Sequence, residues 1–363
     1  MIRMAYSRVK LRFARGVEVT FANRDKALKQ IEKLAEEGIY EPIVIYGPEG
    51  CGKTALFKQT YEILESMGYT VIYVNPIEDE EEEWRIRVSP DSRSIVEDVL
   101  RVAVGEKGAT LVDLAIKIFG ILSKRRKLVA LLADDIFQAV GLDRAEIYVK
   151  RLLNFVEYPP EELEKAFIFV GSSEGITKTR VGRHRWAGIR IMWNMSRDGF
   201  RELYEQIPGE KPQFEEIWRL TGGNPGMLKK LYMYSWSADS VIDGIIAARG
   251  LKRFIDRLSD TQRRVLLESI EDPDALVFRL REARTRQEKD EIITLIDSLI
   301  ELNLIVDDVS IRSEHIWIDE PPTTDRDIGI GDETAWQSPL HREAIRKTLK
   351  THQHSDNTRP PTS

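Results

Sequence analysis

The stretch that decides the fold reads GPEGCGKT and comprises Gly47, Pro48, Glu49, Gly50, Cys51, Gly52, Lys53 and Thr54. It fits the pattern of a glycine, four residues of any type, then glycine, lysine and serine or threonine, which is typical of a loop that binds nucleotide phosphates. The glycines allow backbone N–H groups to turn inward as an anion nest, and the positive end of the following helix points at the phosphates. We expect Lys53 to reach the β- and γ-phosphates and the Thr54 hydroxyl to ligate Mg²⁺.

The sequence around this loop alternates between apolar strands and helices. Short apolar runs lie at 42–46, 70–75, 128–133, 166–170 and 189–193. Helical patterns such as those at 55–67 and 146–156 separate them. Apolar strands joined by helices predict a mostly parallel sheet that is covered on both faces. We therefore predict an α/β P-loop NTPase core over residues 1–195, which begins with a basic segment at 1–26.

The residues after this core have a helical pattern. Apolar residues three and four apart predict a helical lid over 196–250. Three helices followed by two short strands, at 304–306 and 309–318, are typical of a winged-helix domain, which we assign to 251–318. Residues 319–363 are expected to form a loop, a short helix capped by Ser338 and a polar tail.

Candidate catalytic residues follow the third and fourth predicted strands. Asp134 and Asp135 come directly after an apolar run. A carboxylate at the tip of a strand beside the P-loop strand is where a Mg²⁺ ligand is needed, so Asp134 is the candidate ligand. Asp135 is the candidate base that orients or deprotonates the attacking water. Ser172 follows the fourth strand, where its hydroxyl either hydrogen-bonds the γ-phosphate or the water, or belongs to a plain turn.

A cluster of positive charge precedes the fifth predicted strand and consists of Lys178, Arg180, Arg183, His184, Arg185 and Arg190. Two interpretations stay open for it. One of its arginines contacts the phosphate of a nucleotide bound to a neighbouring molecule, or the cluster is a solvated basic loop.

The composition excludes several classes of protein. The chain has 363 residues, with 42% hydrophobic and 31% charged residues, which is enough for a sizeable core. One cysteine and five histidines argue against disulfides and a structural zinc site. No apolar run approaches the length that spans a bilayer, so we expect a soluble, cytoplasmic protein with no membrane partner.

Together these motifs resemble the archaeal branch of the STAND class of AAA+-related P-loop ATPases. Besides the P-loop and the two aspartates, the resemblance extends to the segments 21–25 (FANRD), 132–138 (LADDIFQ), 171–173 (GSS) and 221–225 (TGGNP). The resemblance implies that Asn23 and Arg24 lie beside the adenine and that Pro225 packs near the base. It also implies that Arg185 corresponds to the family's arginine position.

The resemblance implies an ATPase core, a helical lid and a winged helix that senses the nucleotide state. Our leading hypothesis is an ATP-binding, Mg²⁺-dependent molecular switch with slow hydrolysis, which recruits a protein partner. Self-association is expected if Arg183 or Arg185 acts across an interface. Two other functions stay open: a DNA-binding ATPase similar to replication initiators, and a defence or toxin scaffold with structural nucleotide. Residues 250–320 carry eleven Lys/Arg against seventeen Asp/Glu, and the predicted third helix, 288–301, carries one basic residue against five acids. Such a face repels phosphates, so the sequence favours a protein partner over DNA.

Overall fold

The computed structural model describes residues 6–78, 82–92, 108–172 and 185–356. Its strands are β1 (Lys10–Ala14), β2 (Val17–Thr20), β3 (Ile43–Tyr46), β4 (Thr70–Val74), β5 (Ile86–Val88), β6 (Leu128–Ala133), β7 (Lys165–Ser172), β8 (Gly188–Met192), β9 (Ile305–Asp307), β10 (Trp317–Ile318) and β11 (Thr334–Trp336). Its helices in the first half are α1 (Asp25–Glu37), α2 (Lys53–Ser66), α3 (Gly108–Ser123), α4 (Ile136–Val140) and α5 (Leu142–Glu157). The later helices are α6 (Arg197–Glu205), α7 (Phe214–Thr221), α8 (Pro225–Met233), α9 (Ala238–Ala248), α10 (Leu251–Asp256), α11 (Asp260–Glu271), α12 (Ala275–Glu282), α13 (Arg286–Glu301) and α14 (Pro339–Asp356).

The central sheet has the strand order β10-β8-β3-β7-β6-β4-β5 within the described residues. All neighbouring strands are parallel except β5, which pairs antiparallel with β4 at one edge. The prediction of a mostly parallel sheet is therefore confirmed. Each of the five predicted strands forms, with ends that differ from the expected ones by two residues at most.

Alternate side chains of each central strand pack on opposite faces of the sheet, because the side-chain period of a strand is two. Val44, Leu131 and Ile168 face the helices α3 and α5. The opposite face carries Ile45, Leu132 and Phe169, which pack against α1 and α2. This burial on both faces explains why the strands appear in the sequence as continuous apolar runs.

The basic N-terminal segment contains a β-hairpin that the sequence analysis did not predict. The strands β1 and β2 pair antiparallel around a turn at Arg15 and Gly16, and Gly16 has a φ of 75°. Phe13, Val17 and Val19 are buried with the later helices rather than with the sheet. The alternation of apolar residues around a glycine turn was the available signal for this hairpin.

The C-terminal strands pair differently from the predicted wing. The strand β9 pairs antiparallel with β11, and β10 joins the edge of the central sheet parallel to β8, with Trp317 opposite Ile191. Trp317 is buried with Tyr46 and Ile191. The predicted strand pair of 304–306 and 309–318 is therefore wrong: Trp317 and Ile318 are buried at the edge of the central sheet, and β9 pairs with β11 instead.

The last helix is longer and more buried than expected. The helix α14 extends to Asp356, and Leu340, Ala344 and Ile345 on it are fully buried among the helices of the second half. The region 319–337, expected to be a loop, contains β11 and a 3₁₀ turn at 326–328. Within the described residues, no helix combines the length and the apolar character needed to cross a membrane.

The buried His341 of α14 makes the stability of the protein depend on pH. Its side chain is 1% exposed and its Nδ1 lies 2.8 Å from the Ser338 hydroxyl. Burial, and secondarily Arg249, lowers the pKa of His341 to about 3. In the unfolded chain this histidine binds a proton near pH 6.5, whereas in the folded chain it stays neutral at that pH. The free energy of unfolding therefore decreases as the pH falls below about 6.5.

We expect His341→Gln to make unfolding less sensitive to acid. For the single group the slope is about half of 1.4 kcal/mol per pH unit at pH 6.5 and approaches about 1.4 kcal/mol per pH unit near pH 5. Urea unfolding of both proteins at pH 7.5, 6.5, 5.5 and 5 measures it. His315→Gln, at an exposed position, serves as the control and should keep the wild-type slope. Equal slopes for wild type and His341→Gln would contradict the prediction.

Candidate nucleotide-binding site

The loop between β3 and α2 approaches the ends of neighbouring strands very closely. A Cβ atom at Gly47 would lie 2.0 Å from the Met192 carbonyl oxygen at the end of β8, so only glycine fits there. Gly50 and Gly52 adopt φ angles of 77° and 103°, a left-handed region that favours glycine. These glycines let the chain turn sharply into α2, whose N-terminus then faces the interior of the loop.

Lys53 lies inside the loop with its side chain buried. Its Nζ donates hydrogen bonds of 2.9 Å to the carbonyl oxygens of Gly47 and Pro48. Its residue exposure is 4%. Within the described part of the chain, the hydrogen bonds of this buried ammonium group go to neutral groups of the loop, so the group is well suited to bind an anion there.

Asp134 lies at the carboxyl end of β6, next to the loop, and is fully buried. Its Oδ2 accepts hydrogen bonds from the Tyr73 hydroxyl at 3.1 Å and from Asn75 Nδ2 at 3.4 Å. Burial, and then the neighbouring Asp135, raise the pKa of Asp134 to about 7, although interactions with Thr54 and Lys53 oppose the rise.

The other carboxylate oxygen of Asp134 suits a cation. Among the described residues, Oδ1 has no hydrogen-bond partner although it is buried. A Cβ atom on Gly171 would lie 2.5 Å from this oxygen, so the glycine at the end of β7 leaves space for it. The unpartnered oxygen and the nearby Thr54 hydroxyl form a hard donor pair of the kind that Mg²⁺ binds together with phosphates and water. The residues therefore fit the predicted ion.

The remaining predicted catalytic residues occupy different positions. Asp135 begins α4 with a φ of 48° and lines the cavity beside the loop. Ser172 is buried at the end of β7, opposite Tyr46 in the register, and so lies at the same edge of the sheet. Arg185 is exposed and precedes Gly188, which pairs with Ile43 at the amino end of β3. Arg185 therefore lies near the amino ends of the strands, whereas the loop lies at their carboxyl ends. The structure does not bring Arg185 to Lys53.

Several residues of the predicted basic cluster and of the segment 171–173 lie outside the described residues. They are Ser173, Lys178, Arg180, Arg183 and His184.

A cavity of about 510 Å³ extends from the loop, a volume within the range of small-molecule sites. Its lining includes residues 49–54, Lys58 and Asp135 of the loop and its surroundings. It also includes apolar side chains, namely those of Leu11, Phe13, Val19, Met195, Leu203 and Pro225. The charged and backbone groups of the lining suit phosphates, and the apolar side chains suit a flat base. The hairpin that the sequence analysis missed supplies three of the six apolar residues.

Arg24 lines this cavity, but its guanidinium binds protein groups. Nη2 donates to the carbonyl oxygens of Cys51 at 2.8 Å and Trp193 at 2.9 Å, and Nη1 forms an ion pair of 2.7 Å with Asp319. Asn23 packs against Gly199, and its Oδ1 accepts a hydrogen bond of 2.6 Å from the Arg24 N–H. The predicted position of both residues beside an adenine stays a prediction.

The segment around Pro225 contacts the loop directly. Asn224 Nδ2 donates to the Glu49 carbonyl at 3.0 Å, and the Gly226 N–H donates to the Gly50 carbonyl at 2.9 Å. Pro225 is the first residue of α8, a position where its missing N–H costs nothing. The structure therefore brings Pro225 together with the loop residues.

Two further contacts to the loop come from residues that the sequence analysis missed. Arg249 forms an ion pair with Glu49. Burial acts to raise the pKa of Glu49, but Arg249 outweighs it, so the pKa is below its usual value. The Glu49 N–H also donates to Gln337 Oε1 at 3.1 Å. No sequence pattern marks either residue, since they lie 200 and 288 positions from Glu49.

The chain is distantly similar to several solved structures. The solved structures similar to this chain include AMPPCP-bound DnaA from Aquifex aeolicus, with 14% identity, a TM-score of 0.37 and coverage of 91% of this chain and 87% of that chain. Cdc6p from Pyrobaculum aerophilum has 14% identity, a TM-score of 0.36 and coverage of 92% and 95%. Drosophila ORC bound to DNA has 11% identity, a TM-score of 0.33 and coverage of 91% and 87%. Likenesses this distant carry no functional information. No curated protein matches the sequence.

The family comparison is more specific. Residues 21–231, more than half of the chain, match the family ATPase_2, which is described as an ATPase domain predominantly from Archaea. The match contains the loop at 47–54 and both aspartates. The chain therefore belongs to this family of ATPase domains.

Proposed function

We propose that the chain binds ATP with Mg²⁺, hydrolyses it, and acts as a nucleotide-controlled molecular switch of the STAND type. The observation that carries the proposal is the buried Lys53 in the wall of a cavity that is also lined by apolar side chains. This arrangement offers positive charge to a triphosphate and an apolar surface to a base. In this proposal Asn23, Arg24, Pro225 and all eight residues of the loop belong to the nucleotide site.

Each residue near the loop has a role in the proposed hydrolysis. Lys53 exchanges its carbonyl partners for phosphate oxygens, and Thr54 and Asp134 hold Mg²⁺, which when bound offsets the negative charge of the phosphates. Asp135 accepts the proton of a water that attacks the γ-phosphorus. The bond from this phosphorus to the bridging oxygen breaks, and ADP leaves with the electron pair. Ser172 donates a hydrogen bond to the γ-phosphate or to the water.

The proposed switch has three parts: the core at 1–195, a lid at 196–250 and a winged helix at 251–318. The contacts of Asn224 and Gly226 with the loop support a lid that senses the nucleotide. Because ATP and ADP make different contacts with core and lid, hydrolysis shifts the equilibrium between two arrangements. The released C-terminal region then binds a partner.

The charge of the C-terminal region supports a protein partner rather than DNA. Arginines that a DNA phosphate would need are paired with acids: Arg279 with Glu268 and Glu282, Arg281 with Glu333, and Arg286 with Asp290. The helix α13 is acidic as well. The proposal also includes self-association through Arg185. This arginine is exposed near the amino ends of the strands, away from the loop of its own chain, so it would contact a nucleotide only at the site of a neighbouring molecule.

Lys53→Ala should weaken ATP binding by about 100-fold or more, because charge-assisted hydrogen bonds of one ammonium group contribute about 1.5–3 kcal/mol each. Titration with a fluorescent ATP analogue in the presence of Mg²⁺ measures the affinity. Lys29→Ala, on the exposed side of α1, is a control that should bind as wild type does. An affinity within threefold of wild type for Lys53→Ala would remove the loop from nucleotide binding.

Asp135→Asn should keep ATP binding and lower turnover by about 100-fold, the contribution expected of a general base. Phosphate release is measured with and without duplex DNA. Release that DNA does not change supports the switch, whereas strong stimulation by DNA would favour an initiator-like function, and no release from wild type would favour a structural nucleotide. Normal turnover in Asp135→Asn would assign the base to another residue.

Cys51 is buried in the loop, so its thiol should react with a maleimide only when the loop opens. Saturating MgATP should slow the labelling of wild type by a factor close to one plus the ratio of ATP concentration to Kd. Mass spectrometry over time measures the rate, and Lys53→Ala is the control without protection. Equal labelling with and without MgATP in wild type would contradict this placement of the nucleotide.

A further inference from the structure

A buried ion pair joins the core of the chain to its C-terminal segment. Arg24 Nη1 and Asp319 Oδ2 are 2.7 Å apart, and their side chains are 4% and 8% exposed. The two residues are 295 positions apart in the sequence. The same guanidinium donates through Nη2 to the carbonyl of Cys51 in the phosphate loop. Asp319 is thus connected to the loop through one side chain.

Hydrogen bonds with Gln30 hold the backbone around Asp319 in place. The Asp319 N–H donates to Gln30 Oε1 at 2.7 Å, and Gln30 Nε2 donates to the Trp317 carbonyl at 3.0 Å. Trp317 belongs to β10, which is hydrogen-bonded to β8. Asp319 therefore lies directly after β10, an edge strand of the central sheet.

The backbone at this junction adopts unfavourable angles. Asn23, Arg24 and Asp319 have φ angles of 54°, 64° and 73°. Residues other than glycine adopt this region rarely, and each such conformation persists only where the surrounding contacts hold it. The ion pair and its hydrogen bonds are contacts of this kind, and they place the Arg24 guanidinium between Asp319 and the loop.

Arg24 contacts the loop at a residue flanked by two glycines. Cys51 lies between Gly50 and Gly52, both with positive φ angles, and glycines permit large changes of backbone angle. Without the Asp319 carboxylate, the guanidinium would remain buried with an uncompensated charge. It would then turn toward water or toward other acceptors and release the Cys51 carbonyl.

We propose that Asp319 is a positioning residue of the nucleotide site, which holds Arg24 against Cys51 and so keeps the phosphate loop in the conformation that accepts ATP. Asp319 lies beyond the family match at 21–231, so in this proposal the site extends outside the matched residues. The inference rests on the proposed function, since it assumes that the loop binds ATP.

The test compares Asp319→Asn with the neighbouring variant Glu320→Gln. Glu320 also pairs with a basic residue of α1, Lys26 at 3.2 Å, but the side chains of this pair are 59% and 33% exposed. Both variants therefore remove one carboxylate charge from the same segment, and only one of them removes a contact to the loop. Two quantities are measured for each: the affinity for the fluorescent ATP analogue, and the maleimide labelling rate of Cys51 without nucleotide.

We expect Asp319→Asn to bind the analogue about tenfold more weakly or worse and to label Cys51 about fivefold faster, because the loop opens more often. Glu320→Gln should stay within about twofold of wild type in both measurements. Thermal unfolding shows whether a loss is local: the inference requires the labelling rate to rise in protein that remains folded. Unchanged affinity and labelling in Asp319→Asn would overturn it, as would tighter binding.

Arg24→Lys provides a second route in case Asp319→Asn does not fold. Lysine keeps the charge but lacks the planar fork that reaches Cys51, Trp193 and Asp319 together, so it should reproduce both effects. The double variant should be no worse than the worse single variant, since the two residues act as one unit. Additive losses would overturn the inference.

Failure of the inference and failure of the proposed function give different results. If wild type binds no nucleotide, the proposed function fails, and the inference fails with it. If wild type binds ATP and Lys53→Ala does not, while Asp319→Asn binds and labels as wild type does, then only the inference fails.

Discussion

A phosphate loop has to present its backbone amides to a ligand, and for that reason it is unable to satisfy them within itself. Three of the eight residues at 47–54 are glycines, which contribute no side chains to hold the turn. The loop of this protein is therefore held from outside. Met192, at the end of β8, packs closely against Gly47. Asn224, Gly226 and Arg24 donate hydrogen bonds to carbonyl groups of the loop. Gln337 accepts a hydrogen bond from the Glu49 N–H. The conformation of the loop depends on these contacts with distant parts of the chain.

The parts of the site that are close in sequence could be predicted from the sequence. The loop, the helix after it and the pair Asp134–Asp135 follow from local patterns, because a parallel sheet places the carboxyl ends of its strands at one edge. Lys53, Thr54, Asp134 and Ser172 accordingly lie at that edge. The pattern of Leu11, Phe13 and Val19 was also present in the sequence, but the basic residues between them concealed the hairpin.

The long-range partners could not be predicted in the same way. Nothing in a single sequence indicates that Asp319 pairs with Arg24 or that Gln337 reaches Glu49, because ion pairs and hydrogen bonds leave no periodic pattern. The strand β10 shows a related limit: its two apolar residues indicated a strand, but the neighbour of a strand is decided by packing of the whole chain. For Arg185 the sequence suggested a contact that the structure does not show. Its resemblance to a family position predicted that it lies near the site, but the direction of β8 places it near the amino ends of the strands.

The edge position of β10 has a consequence for how the protein is made. The strand that covers β8 is synthesised about 125 residues after it, since β8 ends at Met192 and β10 begins at Trp317. During synthesis, one row of backbone hydrogen-bonding groups on β8 is therefore unpaired until β10 has been made. An unpaired strand edge of this kind is able to pair wrongly with other chains. A fragment that ends at residue 231 lacks β10, so this row of groups on β8 would stay without its partner strand.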